Sequence, residues 1–319
     1  MQVDLPLDQL ERYHYASAEP ADFDDFWRST IAREAERPLA VAVEPYDAEL
    51  ETVEVLDLEF TGYGGARIKG WALLPRRRSG RLPAVVEYLG YGGGRGLPLE
   101  SLAYASAGFA HFILDTRGQG STWRTGDTPD PEGSAPAIPG HLTRDVLSRD
   151  DYYYRRLFVD AYRFVDVVKA SADVDPGRVT VTGRSQGGGL SLVAAGLRDD
   201  IALAVPHVPF LCAFRRALRM TAESPYGELT RWMATHRTKV KEAFGTLDYF
   251  DGVFFARRAR CQASFSVALS DLVCPPSTVF AAYNDYGGAK DMTVWEFNGH
   301  EAGGPYDQLR TIRAVRALT

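Results

Sequence analysis

"VTVTGRSQGGGLSLVAAG" (179–196) starts as an alternation of β-branched residues, breaks on glycine and continues as an apolar helical run. The break holds one hydroxyl, Ser185, between Gly183 and Gly187. A strand that turns sharply into a helix at G-x-S-x-G fits a nucleophile elbow, in which the hydroxyl is held clear of a sheet. An ordinary glycine-rich β-to-α turn would show the same local pattern. The surrounding chain decides between the two.

The neighbouring segments alternate in kind. "PAVVEYLG" (83–90) and "AHFILDT" (110–116) are short, nearly continuous apolar runs, as strands buried on both faces require. "LESLAYASAG" (99–108) between them reads as helical. In "RLFVDAYRFVDVVKAS" (156–171), Phe158, Ala161, Tyr162, Val165 and Val168 recur at helical spacing. "DVDPGR" (173–178) closes that helix, and "VTVTG" is the next strand. "IALAVP" (201–206), "SFSVALS" (264–270), "PSTVFAAYNDYG" (276–287), "MTVWEF" (292–297) and "YDQLRTIRAVRAL" (306–318) continue the alternation. The pattern predicts an α/β fold, a mostly parallel twisted sheet with helices on both faces and right-handed crossovers. "ETVEVLDLEF" and "ARIKGWALLP" flank the turn "TGYGG" and read as an antiparallel hairpin. "ADFDDFWRSTIAREAER" (21–37) is an amphipathic helix with Phe23, Phe26, Trp27 and Ile31 on one side. The organisation expected is one domain over 1–319, with a helical extension over 1–50 and a helical insertion at about 207–260. Between the strands, "STWRTGDTPDPEGSAPAIPGHLTRD" (121–145) is a long Gly/Pro loop, a kind that is often functional.

Composition narrows the function. The 319 residues carry a net charge of −6, which speaks against nucleic acid as the main partner. No apolar run reaches the length of a membrane-spanning helix, so no membrane partner is expected. Residues 1–15 carry acids where a secretion signal needs an apolar core. Three cysteines, Cys212, Cys261 and Cys274, lack disulfide or metal spacing. Together these features lead us to expect a cytoplasmic protein with reduced thiols.

Ligands of open α/β sheets bind outside the carboxyl ends of the strands. There, "VTVTG" is followed by Ser185, "SFSVALS" by Asp271 and "MTVWEF" by Asn298, Gly299 and His300. A serine, an acid and a histidine thus fall on one edge, in the order of an α/β-hydrolase. A serine hydroxyl is a poor nucleophile at neutral pH. An imidazole takes its proton during attack, and a carboxylate fixes the tautomer of the imidazole. Asp285 and Asp291 are the rival acids, but only Asp271 directly follows a strand on the right edge. His14, His111, His141, His207 and His236 are the rival bases. His111 opens an apolar strand and suits a satisfied core position. His207 follows a strand but precedes Asp271, which breaks the order. The Gln186 N–H, at the start of the helix behind Ser185, is one oxyanion donor. The Tyr91 N–H in "YLGYGGGRG" (88–96) is the second. Phosphate-loop, dinucleotide and H-E-x-x-H motifs are lacking, so no metal or organic cofactor is indicated.

"YLGYGGGRGLP", "LDTRGQGSTW", "GRSQGGG", "VPFLCAFRRA", "LSDLVCPPSTVFAAYN" and "NGHEAGG" together resemble the acetyl xylan esterase/cephalosporin-C deacetylase family, the seventh carbohydrate-esterase family. "DLPLDQLERY" and "PADFDDFW" extend the resemblance over essentially the whole chain. The resemblance implies an α/β-hydrolase fold and deacetylation of xylo-oligosaccharides and of small acetyl esters such as cephalosporin C. It places a triad at Ser185, Asp271 and His300, and oxyanion donors at Tyr91 and Gln186. It gives Arg117, Gly118 and Gln119 a structural role around the site. It also implies an intracellular homohexamer. Three positions depart from the family pattern: Arg184 where glycine is common, Gly299 where asparagine is common, and His207 where an acid is usual. The expected reaction is ester hydrolysis through an acetyl-enzyme. A peptidase or lactonase of the same fold, or a catalytically silent binding protein on it, are the alternatives.

Overall fold

The computed structural model describes residues 3–133, 135 and 140–318. Among the described residues nine strands form one sheet: β1 (Ala42–Tyr46), β2 (Val53–Thr61), β3 (Arg67–Pro75), β4 (Leu82–Tyr88), β5 (Ala110–Leu114), β6 (Val174–Arg184), β7 (Leu203–His207), β8 (Gln262–Ala268) and β9 (Lys290–Trp295). Their spatial order is β1-β2-β3-β5-β4-β6-β7-β8-β9. From β5 through β9 every neighbour pairs in parallel, and the hairpin β2–β3 pairs antiparallel over Val53↔Pro75 to Thr61↔Arg67. The sequence of reversals and crossovers is that of an α/β-hydrolase.

The helices are α1 (Leu7–Leu10), α2 (Phe23–Ala35), α3 (Ala103–Ser106), α4 (Tyr153–Lys169), α5 (Gln186–Leu197), α6 (Phe214–Met220), α7 (Tyr226–Thr235), α8 (Val240–Leu247), α9 (Gly252–Arg258), α10 (Pro276–Asp285) and α11 (Pro305–Arg316). Side chains of the parallel strands alternate between two cores, as a period of two requires. Val86 and Phe112 join the large cluster with α2, α4, α5, α9 and α10, while the adjacent Val85 meets Tyr104 of α3 and Val315 of α11 on the opposite face. The centre of the larger cluster is aromatic: Trp27 stacks on Phe158 at 5.7 Å and meets Phe250 edge-on at 5.5 Å. The insertion between β7 and β8 consists of α6 to α9.

Three local differences from the sequence reading have physical causes. The first 50 residues are not purely helical, because Ala42–Tyr46 pairs with Tyr46↔Val55 to Ala42↔Glu59 and becomes an edge strand. "DVDPGR" is a turn set inside β6 rather than before it. Val174 already pairs with Leu82, the register then jumps to Ala84↔Val179, and Asp175 holds the excursion through Gly177 N and Arg178. "LESLAYASAG" divides into a 3₁₀ turn, Pro98–Ser101, and the single turn α3. Residues 134 and 136–139 of the Gly/Pro loop lie outside the described residues. No helix among the described residues is long and apolar enough to cross a membrane.

Candidate active site

Ser185 stands between β6 and α5 with φ 57° and ψ −119°, a conformation that non-glycine residues rarely adopt. Its backbone is fixed on both sides. Ser185 N donates to His207 O at 3.0 Å, and Ser185 O accepts from Phe210 N at 2.9 Å and Gly189 N at 3.0 Å. The flanking glycines are required by close approach rather than by torsion. A Cβ at Gly187 would sit 2.1 Å from the Tyr88 carbonyl oxygen, and one at Gly183 would lie 2.5 Å from the same oxygen. These contacts make the serine-bearing turn a true elbow rather than an ordinary β-to-α connection.

Asp271 lies in the turn after β8, 1% exposed. One carboxylate oxygen accepts from Val273 N at 2.8 Å and Cys274 N at 2.9 Å. The other is 2.9 Å from His300 Nδ1. The loops that carry them are laced together: Leu269 N donates to Trp295 O, and Ser270 N to Asn298 O, both at 3.0 Å. Parallel pairing of β8 with β9 thus extends past the strand ends and brings acid and imidazole together. Ser185 and His300 line the same cavity, of about 1150 Å³. The Cys274 thiol lies near Asp271 and His300, and burial raises its pKa well above the ordinary thiol value.

The two expected oxyanion donors come from loops after β4 and β6, and neither N–H has an intramolecular acceptor among the described residues. Gln119 binds the two loops together. Its side-chain oxygen accepts from Gly92 N at 2.7 Å, and its amide donates to Gln186 Oε1 at 2.9 Å. Gln186 Nε2 in turn donates to Leu89 O at 3.2 Å. Arg117 is fully buried and forks onto Asp160 at 2.5 and 2.8 Å, with Asp130 nearby at 3.4 Å. Gly118, at φ 68°, makes the turn between them. The Arg117–Gln119 segment therefore reaches the site through Gln119 alone.

The rival residues are occupied elsewhere. Asp285 binds His14 at 2.6 Å and Arg257 at 2.8 Å. Asp291 binds Ser264 and Arg310. His111 is buried between Ser101 O and Glu87. His207 is buried as well, with Nδ1 3.0 Å from Ser266 Oγ and Nε2 3.1 Å from Thr311 Oγ1. Burial, opposed by the Asp307 carboxylate and reinforced by the positive charges of Arg184 and Arg310, pushes its pKa down to about 4. Both of its ring nitrogens are spent on the protein, so it cannot serve as the base. His236 stacks on Trp232, away from the cavity.

Sequence reasoning missed Glu228. It projects from α7 in the insertion, 3% exposed, and accepts from Tyr91 Oη at 2.8 Å and Leu142 N at 3.1 Å. Burial raises its pKa above the ordinary carboxylate value. Tyr91 is therefore anchored at its phenol as well as near its backbone, and 137 residues separate the two partners. No local pattern signals such a pair. His141, on the same wall, has a pKa pushed down to about 4, first by burial and then by Arg144. Trp123 donates to Tyr91 O at 2.8 Å and lines the cavity with 55% of its surface exposed.

Asp271, Cys274 and His300 offer donor atoms within 4.8 Å of one another, so a divalent ion could use them. The carboxylate is already saturated by two backbone N–H groups and the imidazole, which suits a hydrogen-bonded pair better than an ion.

The topology, with these residues gathered at one sheet edge, is that of the α/β-hydrolase fold. Residues 1–317 match the family model described as acetyl xylan esterase (AXE1), and the chain belongs to that family. The acetyl xylan esterase from Paenibacillus sp. R4 superposes with a TM-score of 0.93 at 38% identity, covering 98% of this chain and 99% of that one. Acetyl xylan esterase 1 from Thermoanaerobacterium sp. JW/SL YS485 gives 0.92 at 31% identity, covering 99% and 100%. The acetyl esterase Axe7A of Xylanibacter ruminicola is 28% identical over 290 residues, 88% of this chain. The match takes in 63% of that longer protein's length.

Proposed function

We propose that this protein is a serine esterase that removes acetyl groups from acetylated xylo-oligosaccharides and from small acetyl esters such as cephalosporin C. The observation that carries the reading is the 2.9 Å Asp271–His300 bond on the wall of a cavity shared with a strained elbow serine. The Ser185 oxygen attacks the acetyl carbonyl carbon while its proton passes to His300 Nε2, the ring nitrogen left free by Asp271. The carbonyl electrons move onto oxygen, where the Tyr91 and Gln186 N–H groups receive them. The tetrahedral adduct collapses by breaking the bond to the alcohol oxygen, which takes the proton from His300. A water then attacks the acetyl-enzyme, its proton goes to His300, and acetate leaves as Ser185 regains its hydrogen.

Replacing Ser185 by alanine should lower kcat on p-nitrophenyl acetate by about 10⁴-fold or more. Near-native turnover would remove Ser185 from the reaction. Mass spectrometry of rapidly quenched native protein should show an acetylated Ser185 peptide. An ester panel of rising acyl length should peak at acetyl. We extend the proposal to a cytoplasmic homohexamer. Three free thiols suit a reducing compartment. Phe297, 87% exposed, with Tyr306, Leu97 and Leu99, offers apolar surface for contact between copies. Light scattering coupled to size exclusion reads the assembly directly.

A further inference from the structure

The cavity that holds Ser185 and His300 carries a charge that the reaction does not use. Arg184 ends β6, immediately before the nucleophile, and its exposed side chain lines the cavity. That side chain makes no hydrogen bond or ion pair with any described residue. The other charged groups on the wall are engaged. Glu87 is held by His111 at 2.8 Å, Arg124 meets Glu100 at 3.3 Å, and Glu228 accepts from Tyr91. Glu301 accepts from Asn298 at 2.9 Å and Gly299 at 3.2 Å, which lowers its pKa, with Arg184 adding a weaker, longer-range pull. A guanidinium with all five donors free is a ready bidentate site for a carboxylate.

The reaction fixes which half of an ester it would meet. An acetyl group carries no ionisable group of its own. Any carboxylate that Arg184 meets in this cavity therefore belongs to the alcohol portion of the ester. We infer that Arg184 is a specificity residue that selects acetyl esters whose alcohol portion bears a carboxylate. Among sugars this means an acetylated oligosaccharide that carries a uronic acid. The inference rests on the esterase reading above.

The test compares two acetyl esters of nearly the same shape, 4-acetoxybenzoate and 4-acetoxybenzamide, on native, R184Q, R184K and R184E proteins. The quantity read is the kcat/KM ratio of the anionic to the neutral ester, normalised to native protein, so that intrinsic leaving-group differences cancel. R184Q should lower that ratio about tenfold, the value of one charge-assisted hydrogen bond in a half-open site. R184K should keep most of it, and R184E should fall below R184Q. The native preference should shrink as salt is raised. Equal ratios in native, R184Q and R184E proteins, with both esters turned over, would overturn the role of Arg184 and leave the esterase reading intact. If native protein hydrolyses neither ester, the esterase reading itself falls and takes this inference with it.

Discussion

His207 should make the fold acid-sensitive, and replacing it should remove part of that sensitivity. Its ring lies under the elbow with Ser266 on one side and Thr311 on the other. Ser266 gives its proton to Asp307 Oδ2 at 3.1 Å, so His207 Nδ1 donates to Ser266. Nε2 lies beside the Thr311 hydroxyl, which also reaches Asp307 O at 3.0 Å. Burial favours the neutral imidazole, with its proton on Nδ1. Its pKa is pushed down to about 4, against about 6.5 for an ordinary histidine. The unfolded chain therefore binds the proton first as pH falls. The stability contribution is complete above about 6.5 and is lost as pH drops through about 4. A difference of about 2.5 pKa units, at about 1.36 kcal/mol each, sets an upper bound of about 3 kcal/mol. For a chain of 319 residues, at about 2.1 cal/mol/K of unfolding entropy per residue, that is a melting shift of about 4–5 °C. Thermal unfolding of native and His207→Gln protein, followed by circular dichroism from pH 7 to pH 4, isolates the effect. The glutamine keeps a donor and an acceptor but does not titrate. Native protein should be the more stable at pH 7, and the gap should close by up to about 4–5 °C toward pH 4. A gap that stays constant over that range would refute the argument.

Two further substitutions probe the site from opposite ends. In Asp271→Asn the backbone N–H groups of Val273 and Cys274 would hold the amide oxygen, turning the NH₂ toward His300 Nδ1. The ring proton would then sit on Nε2, where the base lone pair is needed, and kcat should fall about 10⁴-fold with the melting temperature little changed. Glu228→Ala would leave the Tyr91 hydroxyl and Leu142 N–H without their acceptor, at about 1–3 kcal/mol each. Urea unfolding should therefore show a loss of about 2–6 kcal/mol, and Glu228→Gln, which keeps an acceptor oxygen, should recover most of it.

The parts of this structure that were legible in the sequence are those governed by local rules. Gly183-Arg184-Ser185-Gln186-Gly187 announces its own turn, because backbone atoms that approach within 2.1–2.5 Å of a would-be Cβ admit only glycine. Runs such as 83–90 and 110–116 reveal strands because both faces of the sheet are covered, which forces continuous apolarity. The residues after β6, β8 and β9 could be aligned on one edge because parallel strands end on the same side. Illegible were the features that depend on long-range polar pairing. Glu228 reads as a surface acid on an amphipathic helix, and only the folded insertion drives it onto Tyr91. The turn at Asp175 to Arg178 looks like a break between elements, yet pairing of Val174 with Leu82 draws it into β6. Ala42–Tyr46 is exposed along its length and so lacks the apolar signature of a strand, and backbone pairing with β2 alone defines it.

The site's polar groups divide into those that are tied and one that is loose, and the division follows what each must do. Transition-state charge is stabilised best by donors that need no reorganisation when the reaction occurs. The loop carrying Tyr91 is accordingly held at Leu89 O and at Gly92 N by the side chains of Gln186 and Gln119. Because Gln119 also grips Gln186, the two N–H groups proposed for the oxyanion cannot shift independently without breaking a buried amide pair. Asp271 and His300 are fixed by a separate set of backbone bonds between their loops. Substrate selection has the opposite requirement, since an alcohol portion of variable shape must be met by a group able to move toward it. Arg184 meets that requirement. It shares the backbone rigidity of the elbow up to its Cα, carries a long side chain beyond it, and alone among the charged side chains of the wall is left without a hydrogen-bonding partner among the described residues.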